Sequence, residues 1–283
     1  MRIASLSPAA CAAAGILLLA TAAGAAPIAI VACAPGYPGT TAEAQPAMNA
    51  FAAALATSAG LKREALSATY FEAEAAGVAR LRQPDVGLAL VPLPFYLLHR
   101  QDLDLTPRLQ IVTAGGAATE VWSLVGAKGR LHAPADLAGW QLLTLASYAP
   151  RFVGGVALAH WGAPPATVRL LPAISVISGL RRAAATENVA LLLDSAQTQA
   201  VPSLPFAKQL EVVTASAPLP GSLLCSVGKR VPEARLRPLL AALAKLDAKP
   251  AGAAALSGLR MLRFAPLEAA ALTAAESAYA AAK

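Results

Sequence analysis

Residues 28–91 read IAIVACAPGYPGTTAEAQPAMNAFAAALATSAGLKREALSATYFEAEAAGVARLRQPDVGLALV, and this stretch decides the fold. Three short apolar runs, Ile28 to Cys33, Leu66 to Phe71 and Val86 to Val91, alternate with Ala42 to Ala59 and Glu72 to Arg82, which carry helical spacing. Short apolar runs bounded by turn residues suit buried strands. Pro35, Gly36, Pro38 and Gly39 break the chain after the first run, and Gly60 caps the helix that follows. The run VGLALV shows no polar alternation, as expected of a strand covered on both faces. A β-α-β-α-β order predicts a parallel sheet with helices on both sides.

The pattern continues outward. Pro92 and Pro94 punctuate the chain before a short helix around Phe95 to His99. Strands are expected at Leu109 to Ala114 and Val121 to Ala127, with Gly115 and Gly116 between them, and a turn or short helix at Pro134 to Gly139. The alternation then restarts: strand Gln141 to Leu145, helix Phe152 to Trp161, strand Val168 to Leu171, helix Ser175 to Ala185, strand Val189 to Leu193. Strands at Leu210 to Ala215 and Leu223 to Val227 follow, and the chain from Pro232 is mostly helical apart from Met261 to Phe264. Two such units, separated by a segment with turn signals, predict two doubly wound α/β domains.

The N-terminus carries Arg2, an apolar centre at Ala12 to Ala20 and small residues ending in Ala23-Gly24-Ala25. That order is the pattern of a cleaved secretory signal peptide over residues 1–25, with the mature chain starting at Ala26. The protein is accordingly expected in the periplasm. The residues before Cys11 do not form a lipobox. The hydrophobic fraction of 57% owes much to Ala and does not indicate a membrane protein. The net charge of +7 comes from scattered residues, with no basic stripe, zinc spacing or helix-turn-helix pattern, so no nucleic-acid partner is expected. His99, His132 and His160 form no nucleophile–base or metal-ligand spacing, so neither an enzyme, a cofactor nor a metal site is expected.

Several segments together resemble the substrate-binding proteins of phosphate/phosphonate-type ABC importers, which have the type 2 periplasmic-binding-protein fold. These are Asp85 to Ala89 with Pro92-Leu93-Pro94-Phe95, Ala135-Asp136-Leu137-Ala138-Gly139, Glu187 to Ser195, Pro218 to Gly221, and Val231-Pro232-Glu233. The resemblance implies a first domain from 26–117 and 222–283 and a second from 118–221, with Val121 to Ala127 and Leu223 to Val227 crossing between them. With the strands of that path, Cys33 and Cys225 would lie two strand spacings apart, roughly 9–10 Å. That exceeds the roughly 7 Å reach of a disulfide, so both are expected to be free.

Ligands in open α/β sheets sit at the carboxyl ends of strands, and the candidate residues follow from that. Tyr37, Thr40 and Thr41 lie after the first strand at a helix N-terminus, which favours anions, although Thr is also a common N-cap. Phe95 stands where the resemblance would place a ligand-contacting tyrosine, with Tyr96 beside it. The resemblance implies an oxyanion-gripping turn where Ser147, Tyr148 and Arg151 stand, with Arg151 offering a planar donor fork or a solvated first-turn charge. Asp194 ends a buried strand, as a ligand acceptor or as the N-cap of the next helix. The expected function is a monomeric periplasmic solute-binding component of an ABC importer, holding a small phosphate- or phosphonate-like oxyanion by cleft closure and serving an inner-membrane permease. A sensor domain of the same fold docked on a receptor kinase is the alternative, and an enzyme on this scaffold the third.

Overall fold

In the computed structural model the described residues are 26–113, 115 and 117–282. The signal segment expected over 1–25 lies outside them. The chain begins with β1 (Ile28–Cys33), α1 (Thr41–Ser58), β2 (Leu66–Phe71), α2 (Glu74–Leu81), β3 (Val86–Pro92) and α3 (Leu93–His99). Then come β4 (Leu105–Thr113), β5 (Thr119–Glu120), β6 (Ser123–Ala127), β7 (Gln141–Thr144), α4 (Pro150–Phe152), β8 (Arg169–Pro172), α5 (Val176–Ala184), β9 (Val189–Leu193) and α6 (Ser195–Ala200). The chain closes with β10 (Leu210–Ala215), β11 (Leu219–Pro220), β12 (Ser222–Val227), α7 (Glu233–Leu243), α8 (Pro250–Gly258), β13 (Met261–Ala265) and α9 (Ala269–Ala281).

These strands form two main sheets. The first is six-stranded, in the order β13-β4-β12-β3-β1-β2, and the second is five-stranded, in the order β10-β6-β9-β7-β8. The expected parallel set β2-β1-β3 is present, and β12 extends it as an antiparallel neighbour of β3. In the second sheet β7, β8 and β9 are parallel while β6 and β10 run against them. A separate two-stranded ladder pairs Thr119 with Pro220 and Glu120 with Leu219. It sits where the chain leaves the first sheet and where it returns, and so links the two lobes.

Strand alternation sorts side chains between core layers. Ile28 and Ile30 of β1 pack with Phe51 and Leu55 of α1 and with α7 and α8. The alternate residues, Ala29, Val31 and Cys33, face a second cluster that also holds Leu124, Leu142 and Leu192 of the second sheet and Leu272 of α9. This middle layer joins the two lobes. A third cluster, with Leu143, Leu180 and Leu191, covers the outer face of the second sheet.

The helix expected at Phe152 to Trp161 is much shorter. α4 has three residues and runs into a wide π turn at Val153–Ala157. Gly154 and Gly155 supply little helical preference there. A Cβ on Gly155 would overlap Ala282, so the bare backbone admits the end of α9. Cys33 and Cys225 are buried and free, with β3 between their strands. No helix among the described residues is long and apolar enough to cross a membrane.

Candidate functional site

The second lobe builds its wall from the hinge side. β6 runs antiparallel to β9 with Ser123 opposite Leu193, which brings Glu120 to Trp122 beside Asp194 and Ser195. The junction is pinned by the Val121 N–H donating to Ser195 Oγ at 2.8 Å, and Ser195 Oγ donates to the Val121 carbonyl at 3.3 Å. Asp194 is 5% exposed and is the N-cap of α6. Its Oδ1 accepts the Gln197 N–H at 2.8 Å, and its own N–H donates to Gln197 Oε1 at 3.2 Å. Burial raises the Asp194 carboxyl above its ordinary value, against the pull of the Gln197 and Ala196 backbone N–H groups.

Glu120, on the hinge strand β5, is raised to about 7, first by burial and then by the Asp194 charge, while the Trp122 side chain acts in the opposite sense. Trp122 is 1% exposed, with its ring edge-on to Phe152 at 5.2 Å. Its Nε1 has no hydrogen-bond partner among the described residues, and neither has the buried hydroxyl of Tyr148. Buried polar atoms are nearly always paired in folded proteins, so each of these orphans calls for a reason.

The first lobe meets this wall through the loop after β1. Gly36 has φ +84°, and a Cβ there would lie 2.5 Å from the Leu145 carbonyl oxygen. The two backbones therefore touch across the cleft, and only glycine allows it. Tyr37 follows, and its hydroxyl is pushed well above its ordinary value by burial, then by Glu120, Asp194, Tyr148 and Tyr70 in that order. Tyr70 donates a long 3.5 Å contact to the Ala34 carbonyl. Tyr148 reaches the other way, from the second lobe toward the first; burial raises it, with Cys33 and Glu74 adding to the effect. Tyr37, Tyr148, Asp194 and, half-buried in the same loop as Tyr148, Ser147 thus border one interlobe region.

The other expected site residues are engaged elsewhere. The N-terminus of α1 is held by the protein's own carboxylates. Thr40 N–H and Oγ1 donate to Glu43 Oε2 at 2.9 and 3.0 Å, and Thr41 N–H and Oγ1 donate to Glu72 Oε2 at 2.9 and 2.7 Å. These bonds lower both carboxyls below their ordinary range. Tyr96 donates to Glu276 of α9 at 2.5 Å, and Arg100 pairs with the same carboxylate at 2.6 Å. Arg151 donates to the Ala280 carbonyl at 2.9 Å and lies 4.8 Å over the Tyr279 ring, so it faces α9. Two shallow surface grooves, one between α1 and α8 and one beside β7, β8 and α5, lie away from the interlobe contact.

No family model matches the sequence, and no curated protein matches it either. Solved structures do match in shape. A Xanthomonas citri protein bound to chloride ion superposes with a TM-score of 0.68 at 14% identity, covering 89% of this chain and 97% of that one. The binding-protein component of an ABC phosphonate transporter from Pseudomonas aeruginosa gives 0.59 at 15% identity, covering 85% and 81%. PhnD1 from Prochlorococcus marinus in complex with methylphosphonate gives 0.58 at 13% identity, covering 89% and 96%. The chain has the type 2 periplasmic-binding-protein fold.

In a type 2 fold the strand ends of both sheets converge on the cleft beside the hinge, and Glu120, Trp122 and Asp194 are placed there by β5, β6 and β9. Tyr70, Glu120 and Trp122 were not among the residues expected from sequence. The available signal was Glu120-Val121-Trp122, an acid and an indole directly before an apolar run in the segment that changes lobes. No group of His, Cys, Asp and Glu among the described residues is arranged to hold a metal ion.

Proposed function

We propose that the protein is a periplasmic solute-binding protein that captures one small molecule between its lobes by hinge closure and delivers it to an ABC permease. It acts as a monomer and without covalent chemistry. The observation that carries this reading is the interlobe junction at Gly36 and Leu145. There two lobes joined by a two-residue ladder meet over the buried Asp194 carboxyl and the half-buried Glu120, Tyr37 and Tyr148. Closure of this kind lets a ligand select one state of a hinged pair. The shape match to the binding-protein component of an ABC phosphonate transporter supports the import role.

An oxyanion is the ligand that the resemblance implies, and methylphosphonate is what PhnD1 holds. In this chain the α1 N-terminus is already filled by Glu43 and Glu72, and the Arg151 guanidinium is spent on α9. The test is a thermal-shift screen of the exported protein against oxyanions, amines, amino acids and sugars, followed by small-angle scattering. A bound solute raises Tm and lowers the radius of gyration. A protein that binds solutes with no change in radius refutes cleft closure. Cell fractionation checks the location, and solute uptake by cells lacking the protein checks the import role.

A further inference from the structure

We infer that the captured solute is a small organic cation carrying a protonated amine, held between Glu120 and Asp194 and surrounded by Tyr37, Tyr70, Tyr148 and Trp122. The inference rests on the reading of the interlobe region as the ligand site.

Charge is the first argument. The strand ends bring two carboxylates together, Glu120 half-buried on β5 and Asp194 buried at the end of β9. The titratable groups that act on Glu120, Asp194, Tyr37 and Tyr148 are carboxylates, the neutral Cys33 thiol and neutral phenols; none is a Lys, Arg or His among the described residues. A partly desolvated carboxylate pair without a cation is unfavourable, because desolvation and mutual repulsion act in the same direction. That is the condition in which Glu120 stands, raised to about 7. A cation between the two acids relieves both effects, whereas an anion adds a third negative charge.

The second argument is the occupancy of the anion-binding features. Of those the fold offers, the N-terminus of α1 is closed by Glu43 and Glu72. Asp194 itself caps α6, placing a negative charge where the helix end attracts one.

Third come the orphan atoms. The Tyr148 hydroxyl is buried beside the Phe95 backbone N–H without a hydrogen bond of good geometry, and its oxygen has a further lone pair to accept from an ammonium N–H. Trp122, 1% exposed, lies close enough to Glu120 for its indole N–H to pull that carboxyl down, though without a hydrogen bond of good geometry, and an N–H donor beside it favours the ionised carboxylate that a cation needs. An ammonium has several N–H groups and needs several acceptors, which the carboxylates and phenolic oxygens supply. Aromatic rings near a cation add to its binding.

The experiment is calorimetric titration of the full exported protein with a fixed probe set: methylamine, ethanolamine, putrescine, tetramethylammonium, inorganic phosphate and methylphosphonate. Glu120→Gln and Asp194→Asn are titrated beside the wild type; asparagine keeps the N-cap of α6. The expected result is binding of at least one of the three amines, with phosphate and methylphosphonate silent. Glu120→Gln weakens the amine tenfold or more, and Asp194→Asn does the same with Tm unchanged. Binding of phosphate or methylphosphonate that Glu120→Gln leaves intact or strengthens overturns the cation and leaves the cleft reading standing. Binding of tetramethylammonium alone overturns the protonated amine, since a quaternary ion donates no N–H bond. If none of the six binds and the radius of gyration stays fixed across the broader screen, both readings fall.

Discussion

Gly36→Ala is the substitution that most directly probes closure. Gly36 has φ +84°, where an L-residue pays roughly 1–2 kcal/mol of local strain. The new Cβ would also lie 2.5 Å from the Leu145 carbonyl oxygen and 3.1 Å from its Cα, against 3.4 Å or more in ordinary contact. The obstacle is backbone, so no rotamer change relieves it. The lobes must part by most of an ångström, or the loop after β1 must shift. Overpacking of this kind costs about 1–3 kcal/mol. The strain acts on open and closed forms alike if the loop keeps its shape, whereas the overlap with Leu145 exists in the closed form alone. Since about 1.4 kcal/mol is tenfold in an equilibrium constant, affinity for the bound amine falls roughly 5- to 150-fold. The assay is calorimetric titration of Gly36→Ala beside wild type, with scattering profiles of both in saturating amine. The variant's liganded radius should stay near the open value at concentrations that close the wild type. Unchanged affinity together with a lower unliganded Tm would show that Gly36 shapes its own loop and takes no part in closure.

The remaining expectations are more local. Glu120 has its folded pKa raised to about 7, so the folded state holds an extra proton between about pH 4.5 and 7, and unliganded stability falls as pH rises through that window. Glu120→Gln should flatten that dependence and raise Tm at pH 8, by up to about 3 kcal/mol of stability. Amine affinity should rise from pH 5.5 to 8 as Glu120 ionises, with Asp194 the other acid facing it and Tyr37 uncharged throughout; an affinity falling over that range contradicts the cation. Asp194→Ala should lose about 1 kcal/mol in urea melts and Asp194→Asn much less, because the side chain caps α6 through the Gln197 N–H. Arg151→Ala should cost about 0.5–1 kcal/mol through its loss from the Tyr279 ring, read as a lower urea midpoint. Cys33, pushed up to about 12 by burial, and Cys225, buried and raised further, should react with a thiol reagent only after denaturation, giving two thiols per mature chain; one or none would mean oxidation.

The sheets were legible because their strands are apolar on both faces. IAIVAC and VGLALV look alike in composition, and the structure separates their alternate residues between two core layers. The cap at Thr40 was legible too, since Thr40 and Glu43 stand three apart, the spacing of a capping box. Glu72 completes the same N-terminus from the end of β2, and no local spacing announces it. Asp194 combines two readings that the sequence left open: it caps α6, and it is a buried acid at a strand end. Glu120 was not legible, because a two-residue strand has no periodicity and its partners at Leu219 and Pro220 are remote in sequence. The surroundings of Arg151 were hidden for a similar reason, since its acceptor lies 129 residues further along the chain. The glycine pair at 154 and 155 was visible, but its effect depends on Ala282 arriving from α9.

α9 has a mechanical consequence. Two connecting segments alone would let the lobes swivel as well as bend. α9 adds a third strut: it touches β11 of the hinge, binds the first lobe through Glu276 to Tyr96 and Arg100, and binds the second through Ala280 to Arg151. A rod fastened on both sides of a joint and lying beside its axis resists torsion far more than flexion. Under the closure proposed above, the lobes keep one easy degree of freedom, a clamshell motion about a fixed line, and Glu120 travels with that line, not with either jaw.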